Sequence, residues 1–163
     1  MIDGEIKELA RRVVETLSER GKTLVTAESF TGGGITSAIV SIAGASKVLR
    51  EGLVTYTVDS KALRLGIDRE TVRKFGVVSK EVAVGMVRGA LDSPLKPDYA
   101  VSATGNAGPS VESDTAPCVG FVAAAGGGKE VVVKLSLTGD REENIREGVL
   151  SALSALLEIV KLT

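Results

Sequence analysis

The chain has 163 residues, of which 44% are apolar, and its 20 basic and 21 acidic side chains leave a net charge of −1. This length suggests one domain, and the near-neutral charge lacks the basic excess of a duplex-binding protein. Aromatic residues make up only 3%, which argues against single-strand nucleic-acid binding by base stacking. With no histidine and one cysteine, the chain excludes a Ser-His-Asp triad, a Cys-His pair, a histidine-ligated metal and an intrachain disulfide.

The predicted elements alternate between helices and strands. Helical spacing of apolar residues predicts a first helix that ends before Gly21, followed by helices at 35–42, 59–65, 68–75, 79–91 and from 140 onward. Apolar and β-rich runs predict strands at 23–26, 52–57, 99–103, 118–125 and 130–137. The last two strands form an antiparallel hairpin, and the polar stretch 110–116 is a surface loop. The sequence therefore predicts a three-layer α/β/α sandwich with a mixed, mostly parallel sheet.

The N-terminal segment is too polar to open a signal peptide. Charges or glycines interrupt every apolar run before it reaches the roughly 20 residues that a membrane-spanning helix needs. A single cysteine fits a reducing compartment. These features predict a cytoplasmic protein whose partner is a small molecule rather than a nucleic acid or a membrane.

The segment Thr26-Ala27-Glu28-Ser29-Phe30-Thr31-Gly32-Gly33-Gly34 joins hydroxyls, a carboxylate and three glycines directly after an apolar run. Glycines let backbone N–H groups approach a ligand, and the helix that follows would turn its positive end toward that ligand. Ser29 is then the candidate nucleophile. The alternative is an ordinary helix start in which serine and threonine act only as caps.

A second glycine-bearing turn, Thr104-Gly105-Asn106-Ala107-Gly108-Pro109, follows the predicted strand that ends at Ala103. Because both turns follow strands, we expect them at the same edge of the sheet, where α/β folds bind ligands. Neither the G-x-G-x-x-G fingerprint nor the P-loop pattern is matched. A dinucleotide-binding dehydrogenase, with Glu51 or Asp59 on a ribose, is therefore only the runner-up.

Without histidine, Lys61 is the candidate base, because burial can lower the pKa of a lysine until its amine deprotonates a serine. The alternative for Lys61 is a solvated surface lysine. Tyr56 is also compatible with a half-buried strand residue, and Thr104 with a hydroxyl that bonds backbone. Arg141 stands in the first turn of the last helix, where a cation opposes the helix dipole. It indicates either an anionic ligand or an ion pair with a nearby carboxylate.

The chain resembles the CinA C-terminal domain family over about residues 5–160. The motifs that carry the resemblance occur in the family's order: Ala27-Glu28-Ser29-x-Thr31-Gly32-Gly33, Val54-Thr55-Tyr56 with Lys61 and Leu65-Gly66, Gly76-Val77-Val78-Ser79, Thr104-Gly105-x-Ala107-Gly108-Pro109, Pro117-x-Val119-Gly120 and Gly139-Asp140-Arg141. The resemblance implies a nicotinamide-nucleotide amidohydrolase, which converts nicotinamide mononucleotide (NMN) and water to nicotinate mononucleotide and ammonia. We expect no metal and no organic cofactor.

The resemblance implies that Ser29 is the nucleophile, Lys61 its base and Tyr56 a hydroxyl of the same network. The candidate substrate contacts are Thr31, Gly32, Gly33, Thr104, Gly105 and Arg141, with Arg141 on the phosphate. A second hypothesis is a non-catalytic nucleotide-binding or interaction module of the same fold. The aliphatic-rich composition and apolar last helix are also compatible with a homodimer.

Several positions depart from the family pattern, and we expect them to surround the pocket and to affect substrate preference and rate. They are Phe30, Val58, Ser60, Asn106 and the run Ser110-Val111-Glu112. The family's second arginine of the last helix is displaced by about one residue. The role of Arg146 is therefore open at this stage.

Overall fold

A computed structural model describes residues 2–109 and 118–163, so the predicted loop at 110–116 and the departure at 110–112 lie outside the described residues. The helices of the described part are α1 (Gly4–Glu19), α2 (Gly34–Val40), α3 (Val58–Leu65), α4 (Arg69–Phe75), α5 (Lys80–Leu91) and α6 (Arg141–Leu162). Its strands are β1 (Leu24–Glu28), β2 (Leu49–Val54), β3 (Tyr99–Gly105), β4 (Cys118–Gly126) and β5 (Lys129–Leu137).

The described strands form one sheet in the order β2-β1-β3-β4-β5. β1 pairs in parallel with β2 and β3, whereas β4 pairs antiparallel with β3 and with β5. All of these strands except β4 therefore run in the same direction. This topology confirms the predicted mixed, mostly parallel sheet with one antiparallel hairpin.

Helices cover both faces of the sheet. On one face α1, α2 and α6 enclose the larger core, to which Leu24 and Val101 contribute from the strands. On the other face α5 packs on the sheet around Val25 and Ala100, with α3 and α4 beside it. Because neighbouring residues of the inner strands β1 and β3 point to opposite cores, these two strands are buried along almost their whole length. The three-layer α/β/α prediction is confirmed.

The second strand differs from its prediction. We expected a buried strand over 52–57, but β2 begins at Leu49, ends at Val54 and alternates between half-buried and exposed residues. β2 is an edge strand, so polar residues such as Arg50 fit its solvent-facing side. These polar residues interrupt the apolar pattern, and the sequence therefore does not show where the strand begins. Tyr56 consequently lies in the turn after β2, and Thr57 caps α3 by accepting a hydrogen bond from Ser60 N–H.

The Phe30 ring packs in the larger core rather than on a pocket wall, which corrects the expectation that this departure surrounds the pocket. Only 4% of the residue is exposed. A Cβ atom at Gly105 would lie 2.9 Å from the ring, one at Gly120 would lie 3.3 Å away, and one at Gly148 would overlap it. Three glycines from β3, β4 and α6 therefore make the space that this large side chain occupies.

Among the described residues, no helix has the length and apolar character required to cross a membrane.

We predict that Gly148→Ala lowers the free energy of unfolding by about 1 to 3 kcal/mol, because the added methyl group overpacks the Phe30 site. Alanine in place of glycine would otherwise stabilise a helix by roughly 1 kcal/mol. Gly4→Ala in the first turn of α1 is the matched control, since a Cβ atom at that position would have no other atom within 4 Å. Urea denaturation of both variants provides the measurement, and an equal stability gain in both would contradict the overpacking.

Candidate active site

The Gly-rich turn follows β1 directly and places Ser29 at the end of β3. Ser29 N–H donates at 3.0 Å to the carbonyl of Ala103, the residue that precedes the second glycine-bearing turn. Gly32 and Gly33 have φ values of 58° and 94°, a region that side chains disfavour. The tight turn therefore needs these two glycines. The two turns lie at the same edge of the sheet, as expected.

Lys61 reaches Ser29 from α3. The lysine is 0% exposed, so the alternative of a solvated surface lysine is wrong. Its Nζ donates to Ser29 Oγ at 2.9 Å and to the Thr55 carbonyl at 2.6 Å. Burial lowers the pKa of Lys61 from its ordinary 10.5 to about 8, because the charged form loses its hydration. A substantial fraction of the amine is therefore neutral near physiological pH.

The local sequence explains why this lysine points inward. α3 begins after its cap, Thr57, and ends at Gly66, whose φ of 67° stops the helix. Lys61 and Leu65 are the buried residues of α3 and stand one turn apart. The helical periodicity of α3 predicts an apolar residue at position 61. A lysine at this position is the sequence signal that its side chain is buried.

Glu28 is the site residue that sequence reasoning missed. Its side chain is fully buried, and each of its two oxygens accepts hydrogen bonds. Oε1 accepts from Thr31 Oγ1 at 2.7 Å and Ile35 N–H at 2.8 Å, and Oε2 accepts from Thr36 N–H at 2.9 Å and Thr36 Oγ1 at 2.6 Å. An acidic residue at the end of a buried strand needs hydrogen-bond donors around it. The position of Glu28 at the end of the apolar run was therefore the sequence signal of its structural role.

The Glu28 carboxylate also occupies the N-terminal end of α2. The prediction that this helix end faces a ligand is therefore wrong, because an internal carboxylate already accepts its N–H groups. In a dinucleotide-binding fold the pyrophosphate takes that place. Asp59, a ribose ligand in the runner-up hypothesis, instead pairs with Arg69 at 2.5 Å, and Glu51 lies on the edge strand β2. The structure thus gives the dehydrogenase hypothesis no support.

The backbone of the turn offers hydrogen-bond donors beside Ser29. Gly32 N–H is already engaged, since it donates to the Ser29 carbonyl at 3.0 Å. Thr31 N–H and Gly33 N–H donate to no atom in the described parts of the chain. These two groups could bind a developing negative charge near Ser29 Oγ.

Thr104 and Gly105 have structural partners at the end of β3. Thr104 Oγ1 donates to the Val77 carbonyl at 2.9 Å, which is the backbone-bonding alternative considered for this hydroxyl. Gly105 leaves room for the Phe30 ring and for the backbone of Gly120. Both residues therefore have structural roles at the end of β3, the strand whose Ala103 carbonyl accepts from Ser29 N–H.

Arg141 and Tyr56 lie together at the exposed side of the site. Arg141 follows Asp140, which forms a capping box with Glu143. Its Nη1 donates to the Gly108 carbonyl at 2.5 Å and its Nη2 to the Tyr56 hydroxyl at 3.4 Å. No ion pair of Arg141 occurs among residues 2–109 and 118–163, so the ion-pair alternative is not seen there. The described hydrogen bond of Tyr56 thus runs to Arg141 rather than to Lys61.

Arg146 lies outside the site. Its guanidinium donates to Asp3, the cap of α1, and to Glu5 at 2.8 Å. These carboxylates raise the pKa of Arg146, and Arg146 in turn lowers the pKa of Asp3. The role of Arg146 is to join the start of α1 to α6.

The described part of the chain contains no group of three or more side chains arranged to hold a metal ion.

Comparison with solved structures shows close relatives of this fold. The competence/damage inducible protein CihA from Agrobacterium tumefaciens has a TM-score of 0.92 at 37% identity, with 98% of both chains covered. A competence-damaged protein (CinA) superfamily member from Klebsiella pneumoniae has a TM-score of 0.89 at 30% identity, with 97% of this chain and 99% of that chain covered.

Sequence comparison gives the family. Nicotinamide-nucleotide amidohydrolase PncC of Escherichia coli (strain K12) is 39% identical over 158 residues, which are 96% of this chain and 95% of PncC. A CinA-like protein of Kosmotoga olearia is 42% identical over 154 residues, which are 91% of this chain but 37% of that longer protein. The family model described as the CinA C-terminal domain matches residues 6–160. The chain therefore belongs to the CinA C-terminal domain family.

Proposed function

We propose that this protein hydrolyses the carboxamide of NMN to nicotinate mononucleotide and ammonia, with Ser29 as nucleophile and Lys61 as base. The observation that carries the proposal is the 2.9 Å contact between Lys61 Nζ and Ser29 Oγ, in a site where burial brings the lysine pKa to about 8. The likeness to PncC, whose name specifies a nicotinamide-nucleotide amidohydrolase, supports the choice of substrate.

In the first half of the reaction, neutral Lys61 takes the proton of Ser29 as Oγ bonds to the carboxamide carbon. The electron pair of the C=O bond moves to oxygen, and the N–H groups of Thr31 and Gly33 donate to this oxyanion. When the intermediate collapses, the C–N bond breaks and ammonia leaves with the proton that Lys61 held. The product of this half is an ester between Ser29 and the nicotinoyl group.

In the second half, Lys61 takes a proton from water while the water oxygen attacks the ester carbon. Collapse of this intermediate breaks the bond to Ser29 Oγ, which recovers its proton from Lys61. The Thr55 carbonyl keeps Nζ in place through both halves. Water is the only co-reactant that the two steps need.

Recognition of the nucleotide falls to the exposed side of the site. Arg141 uses two of its N–H groups on Gly108 and Tyr56, and its remaining N–H groups can bind a phosphate. In the proposal the Tyr56 hydroxyl lies against the same part of the substrate. In the proposal Gly32 leaves space for the substrate, since nothing lies within 4 Å of a Cβ atom at that position, and Thr104 and Gly105 contribute from the end of β3.

We predict that Ser29→Ala and Lys61→Met each lower NMN turnover by about a hundredfold or more, and that the double variant is no slower than either single one. Methionine fills the buried space of the lysine without its amine. Lys7→Ala, at an exposed position of α1, is the control and should keep full activity. Ammonia release from NMN is the measurement.

Retention of more than roughly a tenth of the turnover in Lys61→Met would contradict the base assignment. Wild-type protein whose melting temperature rises with NMN but which releases no ammonia would instead be a non-catalytic binding module.

We predict that kcat/KM for NMN falls by about tenfold per pH unit below pH 8, because protonated Lys61 cannot accept the serine proton. The lowered pKa of Lys61 also predicts how the free energy of unfolding depends on pH. The unfolded chain binds this proton more tightly than the folded protein, so the free energy of unfolding should rise between pH 8 and 10.5, relative to Lys61→Met. A pH profile that is flat from 6 to 9 would refute the role of a base with this pKa.

We predict that Arg141→Ala raises the KM for NMN by the equivalent of about 1.5 to 3 kcal/mol, through loss of a charge-assisted phosphate contact. Activity toward nicotinamide riboside, which has no phosphate, should barely change. Arg146→Ala is the matched control on the same helix, because its guanidinium is engaged by Asp3 and Glu5. Comparing kcat/KM for both substrates decides the matter, since equal losses on the two would place the phosphate site elsewhere.

A further inference from the structure

Glu28 is linked to both members of the Ser29–Lys61 pair. Through its side chain it holds Thr31, inside the turn that carries Ser29, and the start of α2, where that turn ends. Through its backbone carbonyl it accepts a hydrogen bond from Thr55 N–H at 2.9 Å. The carbonyl of that same Thr55 accepts from Lys61 Nζ.

We propose that Glu28 is a positioning residue, which holds the Gly-rich turn so that Ser29 Oγ stays within reach of Lys61 Nζ. This inference rests on the proposed function. Glu28 does not touch the nucleophile oxygen or the amine in the structure; it acts through Thr31 on one side and through Thr55 on the other. A displacement of about 1 Å in such a pair is enough to cost a hundredfold in rate.

The chemistry of the contacts requires a carboxylate at position 28. One backbone N–H points at each oxygen, from Ile35 at Oε1 and from Thr36 at Oε2. In Glu28→Gln, an amide NH₂ would face one of these N–H groups whichever way the amide is turned, because backbone donors cannot reverse. One buried donor then loses its partner, and the turn must shift to find another. The isosteric change thus loosens the turn without altering the size of the side chain.

The two threonine hydroxyls provide a matched pair of milder variants. Thr31→Val and Thr36→Val each remove one hydroxyl donor from the same buried carboxylate, and Thr36→Val also removes the partner of Thr26 Oγ1 at 2.6 Å. Thr31 belongs to the turn beside Ser29, whereas Thr36 lies in α2. If Glu28 positions the turn, Thr31→Val should slow catalysis and Thr36→Val should not.

The experiment measures kcat and KM for NMN, together with the rate at which phenylmethanesulfonyl fluoride labels Ser29. Labelling forms an Oγ–S bond and releases fluoride, so it reports on the nucleophile without NMN binding. We expect Glu28→Gln to lower kcat and the labelling rate by about a hundredfold, with KM changed by less than about threefold. Thr31→Val should lower both rates by about tenfold, the value of one hydrogen bond, and Thr36→Val by less than about threefold.

Val13→Ala, on the buried face of α1, controls for loss of stability and should keep kcat even where its melting temperature falls. Equal slowing in Thr31→Val and Thr36→Val, or an effect confined to KM, would overturn the positioning role. If Glu28→Gln does not fold, the comparison of Thr31→Val with Thr36→Val still tests the positioning role. Wild-type protein that is not labelled at Ser29, with NMN turnover retained in Ser29→Ala, would instead refute Ser29 as the nucleophile of the proposed function.

Discussion

The site depends on a buried amine beside which the described residues place no carboxylate. A carboxylate next to Lys61 would favour the charged form and keep its pKa high, whereas burial with only a carbonyl and a hydroxyl as partners brings the pKa to about 8. Burying an ammonium here is costly, so the fold shifts the equilibrium toward the neutral form that can accept a proton. In a chain without histidine, this arrangement supplies a base in the neutral range.

The layered fold brings the members of this site together from distant parts of the sequence. Parallel pairing of β1 and β3 puts Ser29 beside Ala103, and parallel pairing of β1 and β2 puts the β2–α3 turn on the other side of Ser29. The helix that follows β2 then returns Lys61 over the strand ends. α6 completes the edge by carrying Arg141 to the second glycine turn. Four separate segments thus meet at the carboxyl end of the sheet, where α/β folds bind ligands.

Much of this could be predicted from the sequence, and the failures have physical reasons. Strong apolar periodicity located the helices, including the last one, predicted from 140 onward and observed from Arg141. The start of β2 was missed because an edge strand needs only one apolar face. The partners of Glu28 and Arg146 could not be read from spacing, since they depend on contacts that the fold creates: Arg146 meets Asp3 from 143 residues away. The order of the motifs indicated Ser29 and Lys61 as the nucleophile and the base. The distance between Ser29 Oγ and Lys61 Nζ could be obtained only from the structure.

The glycines around Phe30 also constrain how this sequence can change. The ring contacts positions 105, 120 and 148, which lie on three different elements, while Phe30 itself sits next to Ser29. A side chain larger than hydrogen at any of the three positions would crowd the ring, and a small side chain at position 30 leaves a cavity unless another residue grows into it. The total side-chain volume at these four positions is therefore constrained, and the effect of a substitution at one of them depends strongly on the residues at the other three. Phenylalanine fits at position 30 without overpacking only where these three positions are glycine, so the residue beside the nucleophile depends on a helix that begins more than a hundred positions later.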